Sequence, residues 1–330
     1  MSTPQADSAE VTAWVSDAIL APSMHNAQPW QFRYVPTSGL LYLRLDLTRS
    51  MPRTDADNRG MHVGCGAALF NLRVAAAHAG WSARVRPLPD PADPSLLARV
   101  SFAERTESDA VAELHTAIGR RRSSREPFAE EPVPPALLDA LREAAESEGA
   151  GLSLLGAWQV EAVLDVVEEA EQDEHLSLEE RTEIARWTGA QAGEPDGIPS
   201  SAFGPRRHGG RAPVRDFAVG RPTPGRRSAV FENSPCLAVL GTSQDRPEDW
   251  LLAGQALERV LLRATAGGLS TSLNSQALEH AELRWLLRDP RSGANASFPQ
   301  MLLRLGYGPL VAATPRRDVD DVLQIDAGHG

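Results

Sequence analysis

The chain has 330 residues, 42% of them hydrophobic, and a formal net charge of -11 at pH 7. That is room for about two domains with real cores, and the charge argues against nucleic acid or an acidic membrane as the main partner. It contains no lysine, so all 33 basic residues are arginine, which excludes a Walker A phosphate loop and a lysine Schiff base and leaves arginine forks to bind any phosphate.

Targeting signals and metal motifs are likewise missing. No apolar run reaches the ~20 residues of a membrane span, and the polar start MSTPQADSAE does not read as a secretory signal. Cys65 and Cys236 stand alone, without a CxxC pattern. Neither a disulfide framework nor a zinc site is expected, and a reducing cytoplasm fits. The eight histidines lack metal-ligand spacing, so no metal is expected.

In chain order, residues 10–20 predict a helix with Val11, Trp14, Val15, Ala18 and Ile19 on one side. The stretch APSMHNAQPW follows at 21–30, too rich in proline and small polar groups for a plain connector. Its His25 reads either as a solvated loop side chain or as part of a site. Residues 31–35 and 40–47 predict two strands, the second with Leu41, Leu43, Leu45 and Leu47 on one face. Residues 64–79 predict a long helix apolar nearly all round, hence buried. Its start, VGCGAALF, imitates a dinucleotide fingerprint, but Leu69 stands where the third glycine belongs and no strand precedes it. Helix–helix contact through Gly64 and Gly66 is the better reading. Residues 81–85 and 97–102 predict two more strands.

A second unit begins near Val111. It has helices at 111–121, 134–148 and 158–171, strands at 152–155 and 236–241, an apolar helix at 251–266 and a final core strand at 301–306. An offset of 188 residues superposes the two long helices, placing Gly66 on Gly254, Ala68 on Ala256, Leu69 on Leu257 and Gly80 on Gly268. That points to an internal duplication. Residues 192–227 form a long stretch with no periodic pattern. Such a stretch is either a lid or a disordered insertion.

A second motif is RRSSREPF at 121–128: three guanidiniums and two hydroxyls within five residues, able to cage a phosphate or to form an ordinary solvated basic run. It resembles the Arg-Arg-Ser-x-Arg-x-Phe start motif of the FMN-dependent nitroreductase superfamily, with one extra residue before Phe128. APSMHNAQPW resembles that family's Ala-Pro-Ser-x-x-Asn-x-Gln-Pro-Trp loop. In an ordinary member the arginines come first and both motifs occur in one short subunit. Here the order is reversed and each half carries one motif, as in the Acg-type tandem FMN-binding proteins.

The resemblance implies an α+β fold of two tandem nitroreductase-like α/β sandwich halves, 1–110 and 111–330, forming a pseudo-dimer with a lid insertion at about 190–228. It implies one FMN per chain, bound mainly by the second half and covered by the loop of the first, and a monomer, since fusion supplies the dimer interface. By carry-over, Arg121 would hold the phosphate with the Ser23 hydroxyl, and Arg122 and Ser123 would line the ribityl and phosphate region. Arg125 would lie near the N1/O2 edge of the ring. Pro22, Met24 and Asn26 would pack on or border the isoalloxazine, with Trp30 anchoring the loop in the core. Leu273, Asn274 and Ser275 would lie against N5 and O4, and Arg316 or Arg317 would add a cation to the phosphate. Asp196, Phe203, Arg206 and Arg207 are the lid residues expected to approach the flavin.

Three functions follow. The first is an oxidoreductase passing hydride from NAD(P)H through flavin N5 to a small-molecule acceptor, with no catalytic side chain needed. The second is a protein that sequesters FMN beneath its lid. The third, a dehydrogenase using the GxGxx segment, predicts a colourless protein.

Overall fold

The computed structural model describes residues 5–104, 110–190, 194–218, 221–288 and 297–326. The first half comprises α1 (Ser8–Ala18), β1 (Trp30–Val35), β2 (Leu40–Leu45), α2 (Arg59–His78), β3 (Trp81–Pro87) and β4 (Leu96–Glu104). The second runs through α3 (His115–Ile118), α4 (Pro135–Glu146), β5 (Gly151–Leu154), α5 (Ala157–Leu176) and α6 (Leu178–Trp187). Four short strands follow: β6 (Thr188–Ala190), β7 (Ile198–Pro199), β8 (Arg206–Arg207) and β9 (Ser228–Ala229). Then come β10 (Cys236–Thr242), α7 (Pro247–Ala266), β11 (Ser270–Asn274), α8 (Gln276–Glu279), α9 (Ala281–Leu286), β12 (Phe298–Gly306), α10 (Val319–Val322) and β13 (Leu323–Ile325).

Two sheets carry the fold, one ordered β13-β1-β2-β4-β3 and the other β11-β12-β10-β5. Each packs on its own central helix. Trp30, Phe32, Leu41 and Leu43 share a core with Leu69 and Leu72 of α2. Ala238, Leu240 and Leu303 share one with Leu257 and Leu261 of α7. The alternation in β2 puts Leu41, Leu43 and Leu45 inside, as its spacing predicts. Leu47 does not continue that face: a 3-10 turn at Leu47–Arg49, capped by Asp46, ends the strand and leaves Leu47 exposed.

The central helices lie against each other, and glycine sets their distance. A Cβ added at Gly66 would strike the Leu251 carbonyl oxygen and lie 2.9 Å from Gly254 Cα. One added at Gly254 would strike the Val63 carbonyl oxygen and lie 2.8 Å from Gly66 Cα. The same offset of 188 relates Gly66 to Gly254 and Val63 to Leu251. Reciprocal contacts of this kind are what a two-fold axis produces. Gly64 serves a different purpose, since a Cβ there would meet Ser23 Cβ at 3.2 Å.

Several elements differ from their sequence-based limits. Helix α2 starts at Arg59 because the Asp55 carboxylate accepts the Gly60 and Met61 amides at 2.8 and 3.0 Å, so the polar run before Val63 is its cap and first turn. The segment near 111–121 is a 3-10 turn followed by the four-residue α3, which ends at Gly119. Helix α6 was not expected; Ser177 caps it. Nor was β13, which crosses back from the end of the chain to pair in parallel with β1.

Gly254→Val should therefore lower the unfolding free energy by at least ~2 kcal/mol, since backbone atoms rather than side-chain tips must move to admit it. Gly151→Ala, with no atom within 4 Å of the added carbon, should cost far less. Urea denaturation of both variants checks this.

Candidate functional site

The site lies where α2 and α7 meet, and the loop between α1 and β1 forms one wall. His25, Asn26 and Gln28 have φ of 50°, 56° and 53°. Three non-glycine residues in the left-handed region each carry strain and persist only when neighbours fix them. Here the neighbours are distant in sequence. Asn26 Nδ2 donates to the carbonyls of Gly197 and Pro315 at 3.0 and 3.1 Å. Gln28 Nε2 donates to Pro195 O at 2.8 Å, and its Oε1 accepts the Arg317 amide at 2.9 Å. The loop thus clamps both the 195–198 segment and the C-terminal segment. Trp30 is fully buried at its far end.

The arginine run reaches the same place from the other half. Ser123 bridges Thr271 of β11, and the Ser124 amide donates to Thr271 O at 2.7 Å. Arg121 then points across the interface, Nη2 donating to Leu20 O at 3.1 Å. Arg316 converges on the same loop, donating to Ile19 O, Leu20 O, Ala21 O and Asn26 Oδ1 at 2.9 to 3.1 Å. Arg317 turns away from the cavity, its guanidinium reaching Asp321 O at 2.9 Å, Gln28 O at 3.4 Å and Asp46 at 3.7 Å.

Two adjoining cavities result. The first, about 800 Å³ with its mouth, is mainly apolar; Pro22, Met24, Val63, Leu257, Leu273 and Met301 supply apolar wall, and Ser275 and Arg59 line it too. The second, about 680 Å³, is lined by Arg121, Arg122, Arg316, Asn26 and Thr314. Both share Pro22, Ser23, Ser123, Arg125 and Ile198. Ser23 Oγ accepts the Gln28 amide at 2.9 Å, which leaves its own proton for the cavity. Asn26 borders the arginine-lined cavity and not the apolar one. Asn274 lines neither; its amide is buried without a hydrogen-bond partner.

The 192–227 stretch is partly structured. Residues 192, 193, 219 and 220 of it lie outside the described residues. The rest carries β7, β8 and a 3-10 turn at Ser200–Ala202. Ile198, Arg215 and Phe217 wall the apolar cavity, and none of them was singled out from sequence. Of the residues that were, Asp196 pairs with Arg49 at 2.6 Å, Phe203 packs inside the stretch against Ile198 and Phe217, and Arg206 and Arg207 are exposed. Arg215 is held by Glu279 through two bonds of 2.6 and 3.0 Å. Arg125 and Arg215 lie over the Phe217 ring at 4.7 and 5.4 Å.

The charged side chains that line the apolar cavity are all arginines, Arg59, Arg125 and Arg215. Burial lowers the Arg125 guanidinium to about 10, helped by Arg215. His25, edge-on to Phe217 at 5.6 Å, is pushed well below its usual range by burial and by Arg215 and Arg125, so its ring is neutral. Among the described residues no group of three or more His, Cys, Asp or Glu is placed to hold a metal. No helix of the described residues is long and apolar enough to cross a membrane.

The offset of 188 also finds the mate of the apolar cavity, about 690 Å³, lined by Val85, Pro87, Glu248, Leu251 and Leu252. These correspond to Leu273, Ser275, Gly60, Val63 and Gly64. Side chains therefore stand where the first cavity has two glycines, and its Arg73 is tied to Glu148 at 2.5 Å.

Residues 118–307 match the Nitroreductase family profile. The chain is 34% identical to Rv3131 of Mycobacterium tuberculosis, covering 98% of this chain and 94% of that protein, whose name places it provisionally among NAD(P)H nitroreductases. It is 33% identical to the acg product of the same species over 94% of each, and that protein is named in the same way. Among solved structures, an FMN- and NADPH-dependent nitroreductase from a Sphigopyxis strain aligns at 17% identity, covering 65% of this chain and 99% of its own, with a TM-score of 0.41.

Arg316→Ala should free the carbonyls of the loop and speed amide hydrogen exchange over residues 19–28 by tenfold or more, equivalent to ~1.4 kcal/mol of local stability. Arg317→Ala retains the backbone bond to Gln28 and should change exchange there less than threefold.

Proposed function

The chain belongs to the nitroreductase family, among its Acg-type members, and from that premise we propose that it is an FMN-dependent oxidoreductase with one flavin held between its halves. The observation that carries this is the joined pair of cavities, one apolar and one lined by Arg121, Arg122, Arg125 and Arg316, walled by residues from both halves. The residues fit such a ligand. Arg121 Nε is buried without a hydrogen-bond partner, and Gly64 leaves the space in which Ser23 sits.

Arg121, Arg122 and Arg316 would hold the phosphate, with Ser23 and Ser123 donating hydroxyl protons. A phosphate dianion gains roughly 1.5–3 kcal/mol from each charge-assisted bond. Pro22, Met24, Leu273 and Ser275 would border the ring, and Arg125 would hold positive charge beside it. When bound, the flavin would supply hydride chemistry, accepting from NAD(P)H and serving a small acceptor with nitro- or quinone-like character. No acid–base role is assigned to His25, whose ring is kept unprotonated by burial and by the nearby Arg215 and Arg125. The mate cavity, with Glu248 and Leu252 in place of glycines, supports one flavin per chain and not two.

One observation favours a second reading. Ile198, Arg215 and Phe217 already wall the apolar cavity, so the lid supports sequestration of FMN with nicotinamide held off. Anaerobic spectroscopy separates the two. The purified chain should be yellow, with one flavin per chain, and NADPH should bleach the visible band. Phe217→Ala should speed that bleaching by about tenfold. Reduction by dithionite but never by NADPH or NADH would establish storage. A colourless chain that takes up no FMN would overturn both readings.

A further inference from the structure

Beneath the arginine-lined cavity lies a carboxylate that the reading above does not use. Glu258 of α7 is completely buried, and neither oxygen makes a well-formed hydrogen bond. Its counter-charge is Arg121, with Nε 3.5 Å from Oε1. Other charges reach it from few directions. Arg122 follows Arg121 in the same run, and Arg316 approaches from the C-terminal segment. From α2 the neighbour is Asn71, which is neutral. Asp17 of α1 and His115 of α3 are engaged with each other at 2.9 Å. Arg259, the next residue on α7, turns to Glu148 at 2.7 Å.

Packing does not require an acid there. The position related to Glu258 by the offset of 188 is Phe70, which is equally buried. Arg73 and Arg259 lie 5.3 and 6.0 Å from its ring. The acid therefore stands only on the side with the arginine run, where burying a charge is costly unless a partner justifies it.

We infer that Glu258 is a proton-linked counter-charge of the phosphate pocket: it holds Arg121 in the flavin-free chain and takes up a proton when a dianionic phosphomonoester binds to the arginines. The inference rests on the reading of this pocket as the FMN phosphate site. Its sign follows from Coulomb's law. Burial already pushes the Glu258 carboxyl up to about 7 despite Arg121, the Asn71 amide and Arg316. A dianion on those same arginines raises it further. Between the free and bound values, binding one FMN takes up one proton, so affinity falls as pH rises above about 7. Ionisation of the phosphate itself, near pH 6, acts in the opposite sense and at lower pH.

The test is calorimetric titration of the flavin-free full chain with FMN at pH 8, in buffers of different ionisation enthalpy, with Kd followed by fluorescence from pH 6.5 to 9. Wild type should take up close to one proton per FMN, and its Kd should weaken by about tenfold between pH 7 and 8.5. Glu258→Gln should take up well under half a proton, the remainder set by Arg316, and its Kd should change less than threefold over that range. Riboflavin, which lacks the phosphate, should bind both chains without proton uptake. Zero proton uptake by wild type, or an unchanged pH profile in Glu258→Gln, would overturn the inference while leaving the FMN site intact. Failure of wild type to bind FMN at all would overturn the site and the inference together. The wild-type proton count requires no variant, so a poorly folding Glu258→Gln leaves the inference open to refutation.

Discussion

The architecture depends on one close approach, the crossing of α2 and α7 at Gly66 and Gly254. There the backbone of each helix occupies the space that a side chain would take in the other. This contact sets the distance between the halves and so the width of every cavity between them. Two residues earlier, Gly64 lets the α1–β1 loop settle on α2, bringing Ser23 to the arginines of the other half. A bulkier residue at either place would push Ser23 and the arginines of the other half apart.

What the contact brings together is electrostatically unfavourable. Arg121, Arg122 and Arg316 crowd one cavity, and burial lowers the guanidinium of Arg316 to about 9, with Arg121 adding to the effect. The fold tolerates them by aiming backbone carbonyls at them: Leu20 O receives both Arg121 and Arg316. These carbonyls belong to the strained loop, so the cations and the left-handed residues stabilise each other. Removing the cations loosens the loop, and loosening the loop strands the cations. An anion in the cavity relieves the repulsion without disturbing the carbonyl bonds.

Much of this was legible in the sequence, and for a physical reason. The loop and the arginine run are short motifs whose residue types are dictated by local conformation and ligand charge. The two glycine-bearing helices declare themselves by apolar content and spacing. What could not be read depends on contacts far apart in the chain. The parallel seat of β13 beside β1 has no local signal beyond three residues of weak alternation. Ile198, Arg215 and Phe217 sit in a stretch without periodicity, where nothing ranks one residue above another; the neighbours chosen from sequence face elsewhere. Arg316 and Arg317 are adjacent and chemically identical, and only the fold directs one to the cavity and the other to Asp46 and Asp321. Asn26, expected on or beside the ring, lines the arginine-rich cavity and donates to the Gly197 and Pro315 carbonyls, contacts that no local pattern announces. Glu258 looks like any acid on an amphipathic helix until Arg121 is placed beside it.

The two cavities related by the offset of 188 differ in their lining, and a single chain permits that difference. A symmetric pair of identical subunits must carry the same residue in both copies of a site. A glycine needed by one is then imposed on the other, and a buried acid beside one arginine run is buried twice. In a single chain each half is free to change alone. Gly60 and Gly64 can face one cavity while Glu248 and Leu252 face its mate, and Glu258 can lie beneath one set of arginines while Phe70 fills the equivalent place. The crossing of β13 into the first sheet, and the grip of Arg316 on the first half's loop, then make the union mutual. Each half completes a structure that begins in the other, so neither can lose its partner without exposing core and stranding charge.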